Sequence, residues 1–239
     1  MTMENGVTFL EFLTSDFVSL QALNSTRVFK VHRALLDAKC KAVASAFNGN
    51  FTERQNGVYT FSDTSEGTLS RFLEWAYRGD YTEPVVKRKD TASDKTKKDP
   101  ASNQLESLDY PLMAHMALYI FSEVYIVPNL KDLVFAKIKA AIEVINKPRT
   151  EDDQRGVISL LKLAYTMIPA NKSSADLQEW LAHYAAFSLE ELRGQPSFND
   201  VLKLSPDLAS KILSRSNPAD SPPWPRGWGE HKRLNGGWL

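Results

Sequence analysis

The chain has 239 residues, enough for one or two domains with a sizeable core. Hydrophobic residues make up 43% and charged residues 24%, ordinary values for a globular protein. The 29 Lys and Arg residues balance the 29 Asp and Glu, which excludes an overall positive field able to draw in nucleic acid or an anionic membrane.

The first residues, Met1 to Gly6, carry no basic side chain ahead of a short apolar run, so no signal peptide is expected. Apolar stretches throughout are broken well short of a membrane span. Cys40 is the one cysteine; it can form neither an intramolecular disulfide nor a thiolate cluster, which fits a reducing, intracellular setting.

In chain order, Val7 to Leu13 reads as a short extended or helical lead-in. From Phe17 to Leu23, Val18, Leu20 and Ala22 alternate with Ser19 and Gln21, the pattern of a half-buried strand. Asn24-Ser25-Thr26 supplies turn chemistry, and Arg27 to Val31 alternates again, so an antiparallel hairpin is expected. From His32 the period becomes helical, predicting a helix pair that ends near Phe47, before the breaker Asn48-Gly49-Asn50. Val58 to Phe61 reads as a third short strand. Ser62-Asp63 is then expected to cap a helix with Leu69, Phe72, Leu73 and Ala76 on one face, ended by Gly79-Asp80. Short strands and short helices mixed in this way indicate an α+β unit.

Residues 83–104 hold Lys87, Arg88, Lys89, Lys95, Lys97 and Lys98 among aspartates, with almost no apolar side chains. Such a segment cannot bury enough surface to offset chain entropy and is expected to be a disordered insertion. A nuclear-localisation signal built on Lys87, Arg88, Lys89, Lys97 and Lys98 is the alternative reading. Helical periodicity returns at Asp109-Tyr110-Pro111, with a stripe of Met113, Met116, Ile120 and Val124. After Val127-Pro128-Asn129 a long amphipathic helix follows, marked by Leu130, Leu133, Val134, Ile138, Ala141, Ile142 and Ile145. Thr150 is positioned to cap the next helix, with Glu151, Asp152 and Asp153 in its first turn. Residues 150–215 read as all-α throughout. The tail, 216–239, concentrates Pro218, Pro222, Pro223 and Pro225 with Trp224, Trp228 and Trp238. Those tryptophans suit a partner-binding peptide, or a tail that folds back or stays unstructured.

The blocks Phe12 to Val18, Val28 to Leu36, Phe47 to Glu53 and Phe72 to Tyr81 resemble a BTB/POZ domain in order and spacing. Ala117 to Leu130 resembles the last helix pair of that domain. The resemblance spans residues 12–146, with 83–104 as an insertion, and implies a three-stranded sheet clasped by helices. Residues 150–215 resemble the helical extension common in fungal BTB proteins more than the longer extension that accompanies Kelch repeats.

The resemblance implies a self-associating protein-interaction module without catalysis. Phe51-Thr52-Glu53 matches the hydrophobic-x-acidic tripeptide by which such domains recruit a cullin, which implies a substrate adaptor for a cullin-based ubiquitin ligase. The tripeptide's other reading is a loop anchored by Phe51. Asp16 and Arg33 are candidates for paired charges at a homodimer interface, or for local capping. The alternative function is a nuclear, transcription-related scaffold without direct nucleic-acid contact. Localisation is expected to be cytoplasmic, nuclear or both, with no membrane association.

No catalytic or cofactor constellation emerges. His32, His115, His183 and His231 are scattered without ligand spacing, and no glycine-rich loop joins a strand to a helix. Cys40 reads as a packed thiol within a helix of small residues. Neither a metal nor a cofactor is expected.

Overall fold

The computed structural model describes residues 9–48, 52–83, 111–169 and 175–215. The expected basic clusters at 87–98 and the tryptophans of the 216–239 tail lie outside these residues.

The fold is α+β. After the short helix α1 (Phe9–Leu13), β1 (Phe17–Gln21) and β2 (Val28–His32) form the expected antiparallel hairpin, with Phe17 opposite His32 and Gln21 opposite Val28. Val18, Leu20 and Val31 are buried, as the alternation requires. Asn24, with φ of 54°, occupies the left-handed conformation that turns the chain. The third strand, β3 (Val58–Thr60), joins the other side of β1 in parallel, Ser19 opposite Val58, giving the order β2-β1-β3. Parallel neighbours need a long crossover, and here helices supply it.

The crossover contains α2 (Arg33–Lys39), α3 (Lys41–Ala46) and α4 (Thr52–Asn56). Cys40 is not inside a helix, as its small neighbours suggested, but at the break between α2 and α3, fully buried. The α4 turn is also a correction: residues read as loop from Thr52 onward are helical. Its sequence is polar and has no apolar period to announce it.

Helix α5 (Glu66–Arg78) buries the face expected of it: Leu69, Phe72, Leu73 and Ala76, with Trp75 beside them. Its cap is Ser65 rather than Ser62-Asp63; the Ser65 Oγ accepts from the Thr68 N–H at 3.2 Å. Gly79, with φ of +78°, ends it in the left-handed form that glycine adopts without a side-chain penalty.

Helix α6 (Pro111–Val124) is the centre of the molecule. The anticipated stripe is too narrow a description, because Leu112 to Met116, Leu118, Tyr119, Phe121 and Ser122 are all buried, while Val124 is exposed. A helix apolar nearly all round must be covered on several sides. Helices α5, α7 (Pro128–Ile145) and α8 (Glu151–Thr166) cover this one. Phe121 packs on Phe72 at 4.8 Å and Phe61 at 5.7 Å, tying α6 to the sheet side.

Beyond α7, Thr150 caps α8 as expected, accepting from the Asp153 N–H at 3.1 Å. Then come α9 (Ala175–Phe187), α10 (Leu189–Leu192), α11 (Pro196–Leu204) and α12 (Pro206–Arg215). Every regular element among the described residues of 150–215 is a helix. One hydrophobic core runs from Val18 through α6 and α7 to Ile212. The ring series Tyr119, Phe135, Trp180 and Tyr184 carries that continuity from α6 to α9, at successive centroid distances of 6.5, 6.2 and 6.1 Å. Gln178, buried, donates to the carbonyl of Ala164 at 3.0 Å and joins α9 to α8.

Candidate protein-interaction surface

Helix α1 buries Phe12 but leaves Leu10 71% and Leu13 51% exposed. Phe17 at the start of β1 is 61% exposed and Tyr77 on α5 is 43% exposed. His32 lies between them: its ring is 4.5 Å from Phe17 and 6.0 Å from Tyr77, and Phe12 supports it at 4.8 Å. The Tyr77 hydroxyl also meets His32 Nδ1 at 3.0 Å and accepts from the His32 backbone N–H at 3.2 Å. Phe12, Phe17, His32 and Tyr77 thus form one mostly aromatic patch at the Phe17–His32 end of the hairpin, with the exposed Leu10 and Leu13 on the helix that carries Phe12. Singly exposed apolar side chains are commonplace; exposed aromatics joined through the shared His32 ring mark a contact surface.

Asp16 and Arg33 sit at the edge of this patch. The Arg33 N–H donates to the Asp16 carbonyl at 2.8 Å, so their backbones close the entry to β1 against the exit from β2. Their side chains diverge: Asp16 is exposed, and the Arg33 guanidinium donates to the Asn48 side-chain carbonyl.

Of the tripeptide, Phe51 lies outside the described residues. Glu53, half-buried, stands in the first turn of α4, where the helix dipole favours a carboxylate. Its neighbourhood contains Tyr59, whose hydroxyl is held above its ordinary pKa by burial first, then by the charges of Asp63 and Glu53. Tyr125 donates its hydroxyl to Asp63 at 2.8 Å, which fastens the end of α6 to the segment after β3.

A buried polar cluster lies at the root of the expected insertion, and nothing in the sequence pattern singled it out. Tyr81 and His115 are both buried, and the Tyr81 hydroxyl is 2.7 Å from His115 Nδ1. Lys137 on α7 pairs with Asp80 at 2.9 Å, donates to the Tyr81 carbonyl at 3.3 Å and lies over the Tyr81 ring at 4.7 Å. The Lys137 hydrogen bond holds the Asp80 carboxyl below its usual range. Burial drives His115 down to about 4, so it is neutral at pH 7. These contacts stitch the chain after α5 onto α6 and α7; they are structural in character.

Burial likewise pushes the Cys40 thiol up to about 11, away from a nucleophile's range. His183 is exposed on α9, remote in sequence and environment from His32 and His115. Among the described residues no group of three or more His, Cys, Asp or Glu side chains is placed to hold a metal ion. Among them, too, no helix is long and apolar enough to cross a membrane.

No family model matches the chain. It is 25% identical over 170 residues to Rho-related BTB domain-containing protein 3 of Homo sapiens, and equally to that of Mus musculus. The match covers 71% of this chain and 23% of each relative, so the chain spans under a quarter of their length in that alignment. This similarity supports a BTB-like domain. The three-stranded sheet with its clasping helices agrees with it.

Proposed function

We propose that the chain is a protein-interaction module that self-associates through its BTB-like domain and holds other proteins without catalytic turnover. The observation that carries this is the aromatic patch in which His32 joins the exposed Phe17 and Tyr77, with Leu10 and Leu13 exposed on α1 and Asp16 and Arg33 at the strand ends. Placed against a second copy, the patch would be removed from water, with two charges of opposite sign at its rim. Light scattering over a concentration series tests it. The expected result is a dimer mass for the native chain and a monomer mass for Leu13→Asp with Phe17→Asp, both exposed positions. A native chain that stays monomeric at every concentration overturns the reading.

The module's finer role, on this reading, is to bridge a client to a cullin-based ubiquitin ligase. Glu53 in the first turn of α4, two residues after Phe51 in sequence, supports it. Pull-down of a cullin by the native chain, weakened by Phe51→Ala with Glu53→Ala, is the expected outcome; undiminished capture by the double variant removes the assignment. A nuclear scaffold is the second reading, favoured by Lys87, Arg88, Lys89, Lys97 and Lys98. It requires nuclear accumulation that is abolished when those five charges are neutralised.

A further inference from the structure

A groove of about 790 Å³ opens where the α2–α3 junction, α5 and the α6–α7 turn meet. Trp75, itself buried, contributes to its wall, and Val127 and Pro128 continue the apolar lining. Lys39 and Lys41 also line it, the Lys39 Nζ lying 5.5 Å over the Trp75 ring. None of the residues that line it is acidic. The first turn of α7 opens onto the same groove through Pro128 and Asn129, carries no acidic residue and has no side-chain cap at Val127. Lysines and the positive end of an 18-residue helix therefore act on one space.

Ile126 stands beside this groove in a conformation that its own chemistry opposes. Its φ is +55°, the left-handed region, where a β-branched side chain is an outlier. The turn closes α6 in the manner usually given to glycine: the Val127 N–H donates to the Ser122 carbonyl at 2.8 Å, spanning the residue in question. The conformation is fixed from inside, by Cys40 Sγ 3.8 Å from the Tyr125 carbonyl and by the Tyr125–Asp63 hydrogen bond. Yet the Ile126 side chain is 77% exposed, the most exposed large apolar group on the α6–α7 turn. Folding alone gains nothing from isoleucine there, since glycine or asparagine would adopt the turn with less strain. Strained residues held by an over-determined surrounding concentrate at contact sites.

We propose that this groove binds an acidic peptide segment of a partner protein, one that sets a large apolar side chain between Ile126 and Trp75 and carboxylates towards Lys39, Lys41 and the α7 N-terminus. The proposal rests on the interaction-module reading but uses a face other than the Phe17–Tyr77 patch. Its partner is defined by charge complementarity and by the apolar anchor.

The probe is a random 12-residue peptide display library selected on the full chain, with recovered peptides measured by fluorescence polarisation. Recovered peptides are expected to combine Trp, Phe or Leu with two or more acidic residues, and to bind more weakly as salt rises. Lys39→Glu with Lys41→Glu is expected to weaken them at least tenfold. Ile126→Gly is expected to weaken them similarly while holding or raising Tm, because glycine relieves the turn, so loss of binding cannot be ascribed to unfolding. Selection that yields no binders, binders without acidic enrichment, or equal affinity for Ile126→Gly overturns the proposal. Two further outcomes also overturn it by naming another occupant: tighter peptide binding when Trp224, Trp228 and Trp238 become Ala in the full chain, or a fall in mass of Ile126→Gly by light scattering. Failure of self-association in the native chain bears on the Phe17 patch alone and leaves the peptide measurement standing.

Discussion

The Tyr81 hydroxyl meets His115 Nδ1 at 2.7 Å, both residues buried where the chain leaves α5 and re-enters at α6. The other ring nitrogen, Nε2, is buried and lies 4.0 Å from the Glu83 carboxylate. Unfolded His115 takes up its proton near 6.5, whereas the folded ring does so only near 4, because burial disfavours the cation.

The sign of the pH dependence follows. Between those two values the unfolded state binds the extra proton, so stability is full above about 6.5 and falls as pH drops towards 4. The loss approaches about 3 kcal/mol once pH is below both values. Urea unfolding at pH 7, 6 and 5 should give a falling midpoint in the native chain. His115→Gln, which can still bond Tyr81, should be less stable at pH 7 and flatter over this interval. A parallel decline in both would dismiss His115 as the cause.

The two ends of α5 give a local test of capping. Ser65→Ala removes the acceptor of the Thr68 N–H and should cost about 1 kcal/mol. Ser62→Ala, at an exposed position outside the cap, should be silent within a few tenths of a kcal/mol. At the other end, a Cβ on Gly79 would meet nothing within 4 Å, so Gly79→Ala reports only the cost of φ at +78°, about 1–2 kcal/mol. Denaturant midpoints for the three variants rank these effects directly.

Cys40 should behave as an inert thiol in the folded chain. A rise from 9.0 to about 11 leaves about a hundredfold less thiolate at pH 8, before its complete burial is counted. Iodoacetamide should therefore label Cys40 in denaturant and scarcely at all in native buffer. Rapid native labelling would mean that the α2–α3 junction opens far more readily than its packing implies.

The core that passes from the sheet through α6 to α9 should melt as one unit. Hydrogen exchange followed by mass spectrometry should lose protection in Val18–Gln21 and in Val157–Ala164 over the same denaturant range. Leu161→Ala, at a fully buried site on α8, should lower both together, by about 2–5 kcal/mol. Separate losses would divide residues 150–215 from the BTB-like portion.

Much of this architecture is legible in the chain because its signals are local. The alternation of Val18, Leu20 and Ala22 and the face of Leu69, Phe72, Leu73 and Ala76 both reach the core as their spacing requires. Thr150 with three acids after it marks the start of α8 unambiguously. What periodicity misses depends on distant partners. Nothing between Val58 and Thr60 says that they pair in parallel with β1, nearly forty residues earlier. The encirclement of α6 reflects helices on several sides, whereas a single stripe was the simplest local reading. Ser62 and Ser65 offer the same hydroxyl, and only the backbone path decides which one faces the Thr68 N–H. The interaction surface is harder still: Leu10, Leu13, Phe17 and Tyr77 look like core residues until the fold leaves them uncovered.

The Tyr81–His115 bond and the Lys137–Asp80 pair clamp the two strands of chain that flank positions 84–110. Asp80 and Tyr81 are thereby moored to two helices at once, so a load applied between Glu83 and Pro111 would be borne by α6 and α7 as well as by α5.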